Sequence, residues 1–198
     1  MPLNLLNEAY KRVYDEQEGI SGSCTITFLN VNYGNGKLSS ALLGDSGFLI
    51  VRNEKIVYRS KEQQHFFNAP FQLGLDRGMQ LQDLPEHSAL YETWLKHGDL
   101  IVSATDGLFD NIENEEILEK CVEMLRKSSR STLENDLWKL SKDLTEMARK
   151  VGENPYALSP FAKNARSMGY YFMGGKLDDT TVLVTFIEKQ STSQCFNQ

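Results

Sequence analysis

The sequence predicts an α+β protein built on antiparallel β-sheet, and three features of its patterning carry that expectation. Helical spacing opens the chain, a succession of short β-rich runs joined by tight turns follows, and a pair of helical stretches precedes one closing strand. A doubly wound parallel sheet would instead alternate strand and helix throughout.

Leu5, Leu6, Ala9, Tyr10 and Val13 recur at helical spacing, which predicts an amphipathic helix ending near Gly19. The period then changes. Cys24 to Val31, "CTITFLNV", is rich in β-branched and aromatic residues, and Asn32-Tyr33-Gly34-Asn35-Gly36 is dense in turn formers, so a strand through Leu38 to Leu43 should complete a hairpin. Phe48 to Val51, a turn at Asn53-Glu54, and Ile56 to Tyr58 form a further pair, and such consecutive short strands imply one antiparallel sheet. From Glu62 to Lys96 no periodicity survives, and Pro70, Gly74, Gly78 and Pro85 punctuate a segment that is either a functional flap or one whose elements the pattern fails to reveal.

Leu100 to Ala104 is an apolar run that ends on Thr105-Asp106-Gly107, which taken alone reads first as a strand followed by an ordinary Asp-Gly turn and second as a strand delivering a carboxylate to its own end. After Asp110, Ile117, Leu118, Cys121, Val122 and Leu125 share a helix face, with Asn111 or Asn114 as cap. Ser131 with Glu134 fits a capping box, and Leu133, Leu137, Leu140, Leu144, Met147 and Val151 form a stripe expected to pack on the sheet. Pro155 and Pro160 should end the helical region, Thr180 to Phe186 should be the closing strand, and residues 189–198 a disordered tail behind a single domain over 1–188.

A chain of 198 residues with 40% hydrophobic and 24% charged residues is in the ordinary globular range. No apolar run approaches the roughly twenty residues of a membrane-spanning helix, so stable membrane insertion is not expected. With a net charge of −6 and scattered lysines and arginines, nucleic acid is not an expected partner. Cys24, Cys121 and Cys195 are odd in number and far apart, which fits free thiols in a reducing compartment. "MPLNLLNEAYKRVYDE" reads as neither a secretory signal nor a transit peptide, so the chain is cytosolic or has a targeting segment upstream.

Three aspartates stand at strand edges beside glycine or hydroxyl residues: Asp45 in "LLGDSG", Asp106 in "ATDGLFD" and Asp178 in "GGKLDDTTVLV". Oxygen ligands on rigid strand ends suit hard cations such as Mg²⁺ or Mn²⁺. No GxSxG, HExxH or GxxxxGKS pattern is present, His65, His87 and His97 lack metal-ligand spacing, and Gly174 to Lys176 reads as a hairpin turn before it reads as a phosphate cradle.

In order along the chain, "LGDSGFLIVR", "RSKEQQHFFNAPFQL", "HGDLIVSATDGLFDNI", "NPYALSPFAKNA" and "GGKLDDTTVLV" resemble the metal-dependent protein phosphatases of type 2C, and most of all the mitochondrial branch related to the T-cell-activation phosphatase homologue. The resemblance runs from about Leu3 to Phe186. It implies a sandwich of two antiparallel sheets flanked by helices, with two or three Mg²⁺ or Mn²⁺ ions at one edge. Asp106 with Gly107, and Asp178, would belong to the binuclear centre, Asp45 and Asp110 to a looser third-ion region, and Asp179 would be a neighbour. No catalytic residue is implied beyond the metal ligands. The implied reaction is hydrolysis of phosphoserine or phosphothreonine in phosphoproteins by a metal-bridging water, in the mitochondrial matrix, with the cytoplasm as the alternative compartment.

The sequence departs from the family pattern in lacking its first motif, Asp-Gly-x-Gly-Gly, and the upstream phosphate-binding arginine. A domain incomplete at its N-terminus is therefore expected, with a sheet edge open to a partner chain. The expected parent is a phosphatase, and the chain alone is expected to be weak or inactive. The competing readings are a truncated or pseudophosphatase binding module, with Phe66 to Leu90 as its contact surface, and a fragment that does not fold stably.

Overall fold

A computed structural model of the chain describes residues 2–16, 22–75 and 82–189. Helix α1 (Pro2–Glu16) leads into β1 (Ser23–Cys24), β2 (Ile26–Asn32), β3 (Lys37–Leu43), β4 (Gly47–Arg52) and β5 (Lys55–Arg59). Short strands β6 (Gln64–Phe66), β7 (Ala69–Pro70) and β8 (Leu73–Gly74) precede a 3₁₀ turn at Pro85–His87, β9 (Ala89–Trp94) and β10 (Leu100–Ala104). Helices α2 (Asp106–Phe109), α3 (Asn114–Lys127), α4 (Leu133–Gly152) and α5 (Pro160–Ser167) follow, and β11 (Val182–Phe186) closes the chain.

The strands form a four-stranded sheet in the order β11-β10-β4-β5 and a three-stranded sheet in the order β2-β3-β9, with the small pairs β1-β8 and β6-β7 beside them. Pairing is antiparallel throughout these sheets. Leu38 and Leu42 of β3 meet Phe48 and Ile50 of β4 and Ile101 of β10 in one apolar cluster, so the two sheets pack face to face. Tyr58 and Tyr91 stack across that interior at 3.6 Å. Because side chains alternate along a strand, Leu49, Val51, Leu100 and Val102 point the other way, onto Ile117 and Cys121 of α3 and Leu140, Leu144 and Ala148 of α4. Leu6 of α1 packs with Ala41 and Leu43 on the far side of the other sheet. The order of layers is helix, sheet, sheet, helix. β4 and β10 are buried on both faces, which is why their sequences are continuous apolar runs and not alternations.

The consecutive hairpins do not share one sheet. β2 and β3 pair in one and β4 and β5 in the other, because the chain crosses the sandwich at Gly44-Asp45-Ser46. Gly44 has φ +99°, and a Cβ there would fall 2.5 Å from the Thr25 side chain and 2.7 Å from the Phe71 carbonyl oxygen, so the crossing needs glycine. β9 lies inside the segment expected to be irregular; it is an edge strand with exposed Leu90 and Trp94, and edge exposure erases the alternation that would reveal it. β11 is likewise an edge strand of its sheet and exposes Leu183.

Pro160 starts α5 and does not end a helical region: its missing N–H costs nothing at the first helical position, and the Ser159 hydroxyl accepts the Ala162 amide at 3.1 Å. The cap of α3 is Glu113, whose amide donates to Glu116 Oε2 at 3.2 Å, and Thr132 precedes α4 in place of the expected Ser131. Gly19, Gly78, Cys195 and the expected tail from 190 on lie outside the described residues. Cys24 and Cys121 are free thiols, the latter buried.

The flap segment is organised by a buried carboxylate. Asp83 is hydrogen-bonded to His65 Nε2 at 2.9 Å and His87 Nδ1 at 3.2 Å, and it accepts the Gln72 amide at 2.9 Å. His65 also stacks on Phe71 at 4.2 Å. Burial pushes the Asp83 carboxyl up, but the hydrogen bonds from His65, Gln72 and His87 outweigh it and hold the group below the usual carboxylate range. A carboxyl depressed in the folded state contributes stability above its unfolded pKa, and that contribution is lost as pH falls through the folded value.

Two expectations follow for unfolding. Leu144→Ala, which empties a fully buried site between α4 and the four-stranded sheet, should cost about 2–5 kcal/mol and lower the urea midpoint. Asp83→Asn should destabilise the chain at neutral pH by about 1–3 kcal/mol and flatten the decline in thermal midpoint below pH ~4; an unchanged acid limb would show that Asp83 does not carry it.

Candidate metal centre

Strand β10, buried at every position but Ser103, ends at Ala104, and Asp106 begins α2 just after Thr105. Asp110 lies four residues further on, one helical turn away, so both carboxylates leave the same face. The third carboxylate comes from the loop between α5 and β11, which carries Asp178.

Two stitches fix this loop against α2. The Asn111 side-chain amide donates to the Gly107 carbonyl at 2.9 Å and the Lys176 carbonyl at 2.8 Å, while its oxygen accepts the Lys176 amide at 3.0 Å. The Thr105 hydroxyl donates to the Asp179 carbonyl at 3.2 Å and accepts the Thr181 amide at 3.0 Å. The approach is close enough that a Cβ on Gly107 would fall 2.5 Å from the Thr180 hydroxyl and 2.6 Å from the Asp179 carbonyl oxygen. Gly174 and Gly175 do not turn a hairpin; they press the loop against Pro155 and the end of α4, and Lys176 follows them into the site.

The Lys176 ammonium sits 2.7 Å from Asp106 Oδ2, 2.6 Å from Asp110 Oδ2 and 3.6 Å from Asp178 Oδ2. It also lies 5.1 Å from the centre of the Phe161 ring. Burial opposes its charge, yet the hydrogen bonds to Asp106 and Asp110 hold the ammonium well above the usual lysine range. Burial pushes the Asp110 carboxyl up to about 6, against the pull of Lys176. Asp45, delivered by the crossing at Gly44, is also raised, first by burial and then by the negative charge of Asp106.

Of the sequence-predicted ligands, the fold thus brings Asp106, Asp110 and Asp178 around one point of positive charge, and it places Asp45 within electrostatic reach of Asp106. The Gly107 carbonyl is engaged by Asn111, and Asp179 contributes its backbone. The donor chemistry, carboxylate oxygen throughout, fits a hard divalent cation. The spacing is set by an ammonium, and among the described residues no three acidic, histidine or cysteine side chains are grouped as an ion's ligands. Asn111 and Thr105 carry no sequence signal as site residues, and Lys176 only that of a possible phosphate cradle; the two stitches span 65 and 74 positions, a separation that local spacing does not report.

Beside Asp110 opens a cavity of about 260 Å³, lined in part by Arg59, Glu62, Phe109, Phe161 and Asn164. The Arg59 guanidinium lies 3.6 Å over the Phe109 ring and donates to the Ser60 carbonyl and hydroxyl at 2.9 and 2.8 Å. Across this region Phe67 stacks on Tyr170 at 5.0 Å, while Phe66 is exposed.

A family model described as Stage II sporulation protein E (SpoIIE) matches residues 2–154. The human protein phosphatase PTC7 homolog is 36% identical over 190 residues, covering 94% of this chain and 61% of that protein. The 5-azacytidine resistance protein azr1 of Schizosaccharomyces pombe is 38% identical over 199 aligned positions, covering 96% of this chain and 64% of its own length. The chain therefore spans about three fifths of the curated relatives it matches. Among solved structures, the photosystem II phosphatase PBCP superposes with a TM-score of 0.78 at 29% identity, covering 94% of this chain and 71% of that one. The serine/threonine phosphatase PstP of Mycobacterium tuberculosis shares the fold with a TM-score of 0.54 at 18% identity, covering 92% of this chain and 68% of that one. With the model match over most of its length and the layered sandwich shared with these structures, the chain belongs to the SpoIIE group of type 2C phosphatase domains.

Proposed function

We propose that this chain carries part of the active site of a divalent-metal-dependent serine/threonine protein phosphatase, and that residues 1–188 form a single type 2C phosphatase domain lacking its N-terminal motif. The observation that carries the reading is the convergence of Asp106, Asp110 and Asp178 on one cationic point at a strand end, beside an open cavity. Asp106 and Asp178 would hold Mg²⁺ or Mn²⁺, with Asp110 and Asp45 as the weaker ligands. When bound, such ions supply positive charge to the phosphoryl oxygens and lower the pKa of water. The chain's own part is positional: β10 and α2 fix Asp106 and Asp110, and Asn111 and Thr105 hold the Asp178 loop to them. The cavity next to Asp110 gives a phosphorylated serine or threonine room to reach the centre. The names of the relatives, protein phosphatases in human and frog, support phosphoproteins as substrates. The family branch that the motifs resemble supports the mitochondrial matrix as the compartment, with the cytoplasm as alternative.

A second reading, a phosphoprotein-binding module without turnover, is favoured by one observation: the carboxylates are spaced by the Lys176 ammonium and not grouped as ion ligands. Hydrolysis of a phosphothreonine peptide in Mn²⁺ separates the two. The expected result is weak turnover at most, as the absent Asp-Gly-x-Gly-Gly motif implies, with whatever turnover there is abolished by chelator and lost in both Asp106→Asn and Asp178→Asn. A cooperatively folded chain with no turnover assigns it to the binding reading, and turnover indifferent to both substitutions overturns the proposed site.

A further inference from the structure

We propose that Lys176 is a tethered counter-ion that competes with divalent cations for the aspartate cluster, so that its ammonium must leave before the carboxylates can take a metal. The proposal rests on the metal-centre reading above and concerns how that centre is regulated.

Three observations carry it. First, the ammonium is within hydrogen-bonding distance of both Asp106 and Asp110 and close to Asp178, so it occupies the one point these carboxylates share. A dication at that point and an ammonium cannot coexist there, because they repel each other and would need the same lone pairs. Second, the carboxylates cannot face one another without a cation. Asp110 lies one turn from Asp106 on α2 and the Asp178 loop is stitched against the same helix, so three negative charges are crowded together and the ammonium among them offsets their repulsion. Third, the lysine is anchored at its backbone by neutral hydrogen bonds, while its head is held only by the carboxylates themselves. Asn111 holds both the amide and the carbonyl of Lys176, whereas the ammonium hangs on a four-carbon stem that can swing while the loop stays fixed. The Phe161 ring, 5.1 Å from the ammonium, and the adjoining cavity offer the head somewhere to go.

The arrangement makes a prediction of sign. A lysine that merely braced the loop would, on removal, loosen the ligands and weaken metal binding. A competitor would, on removal, strengthen it while leaving the metal-free chain less stable. Calorimetric titration with Mn²⁺ of the wild type, Lys176→Met and Lys176→Arg chains, each shown to unfold cooperatively, distinguishes them. The expected result is at least tenfold tighter Mn²⁺ binding in Lys176→Met, a lower thermal midpoint in chelator, a larger rise in midpoint on adding Mn²⁺, and wild-type-like affinity in Lys176→Arg. Equal or weaker binding in Lys176→Met overturns the proposal. Adding Asp178→Asn to each background separates this from the parent reading: if Mn²⁺ binding is absent from all chains or unaffected by Asp178→Asn, the metal centre itself is wrong and the competition falls with it. A variant-free check uses wild-type chain with isotopically labelled lysine. Saturation with Mg²⁺ should move the Lys176 side-chain resonances, and resonances that stay in place while Mg²⁺ binds also overturn the proposal.

Discussion

Holding like charges together is the constraint on which the rest of this structure turns. Asp106 and Asp110 are four residues apart on α2, but Asp178 and Lys176 arrive from some 70 positions further along the chain, and nothing in the repulsion between carboxylates would bring them there. Two kinds of interaction oppose that repulsion. Neutral hydrogen bonds from Thr105 and Asn111 fix the backbone of the 174–181 loop, and the ammonium of Lys176 neutralises part of the charge. The first kind acts with or without a metal, because it involves no ligand oxygen of any aspartate. The second is the one that the proposed competition with a divalent cation would exchange.

The scaffold explains why the stitches can be so economical. β4 and β10 are buried on both faces, by the other sheet on one side and by α3 and α4 on the other, so the strand end that presents Asp106 has little freedom. Asp45 follows from the same architecture. The chain must cross the sandwich between β3 and β4, the crossing needs a residue with positive φ at Gly44, and the next residue, Asp45, is left facing the same edge of the molecule as Asp106. A core built for packing thus delivers two of the four carboxylates as a by-product of its topology.

Much of this was legible in the amino-acid sequence, and the parts that were not share a cause. The doubly buried strands announce themselves as "GFLIV" and "LIVSA", and the leucine stripe of α4 identifies the face that meets the sheet. The aspartates were visible because each breaks an apolar run at a strand edge. What escaped is non-local or exposed: β9 is an edge strand whose burial does not alternate cleanly, and the partition of the two hairpins between two sheets depends on which faces meet in the interior. Pro160 was read as a terminator because proline has the same local signature at a helix start as after a helix end. Lys176, Asn111 and Thr105 are ordinary polar residues in sequence, and only the docking of the 174–181 loop gives them roles.

The charge set at this site is not, in itself, an efficient way to stabilise the fold. A largely buried ion pair is weak as a stabilising device: desolvating its members costs about as much as their attraction returns, and well-packed apolar residues of similar size often do better. Lys176, Asp106 and Asp110 have side-chain exposures of only 19%, 22% and 17%, so they incur much of that cost. Asp83, by comparison, sits in a network of fixed hydrogen bonds with two imidazoles and an amide, and holds one segment in one arrangement. The Lys176 cluster instead concentrates its charge on one flexible cationic head facing several acidic oxygens beside an open cavity. Such a geometry is poor at maximising stability and well suited to exchanging one cation for another. Under the proposed competition, a divalent cation taking the place of the ammonium would return the stability these charges forgo, and that coupling would tie them to the chemistry proposed for the site.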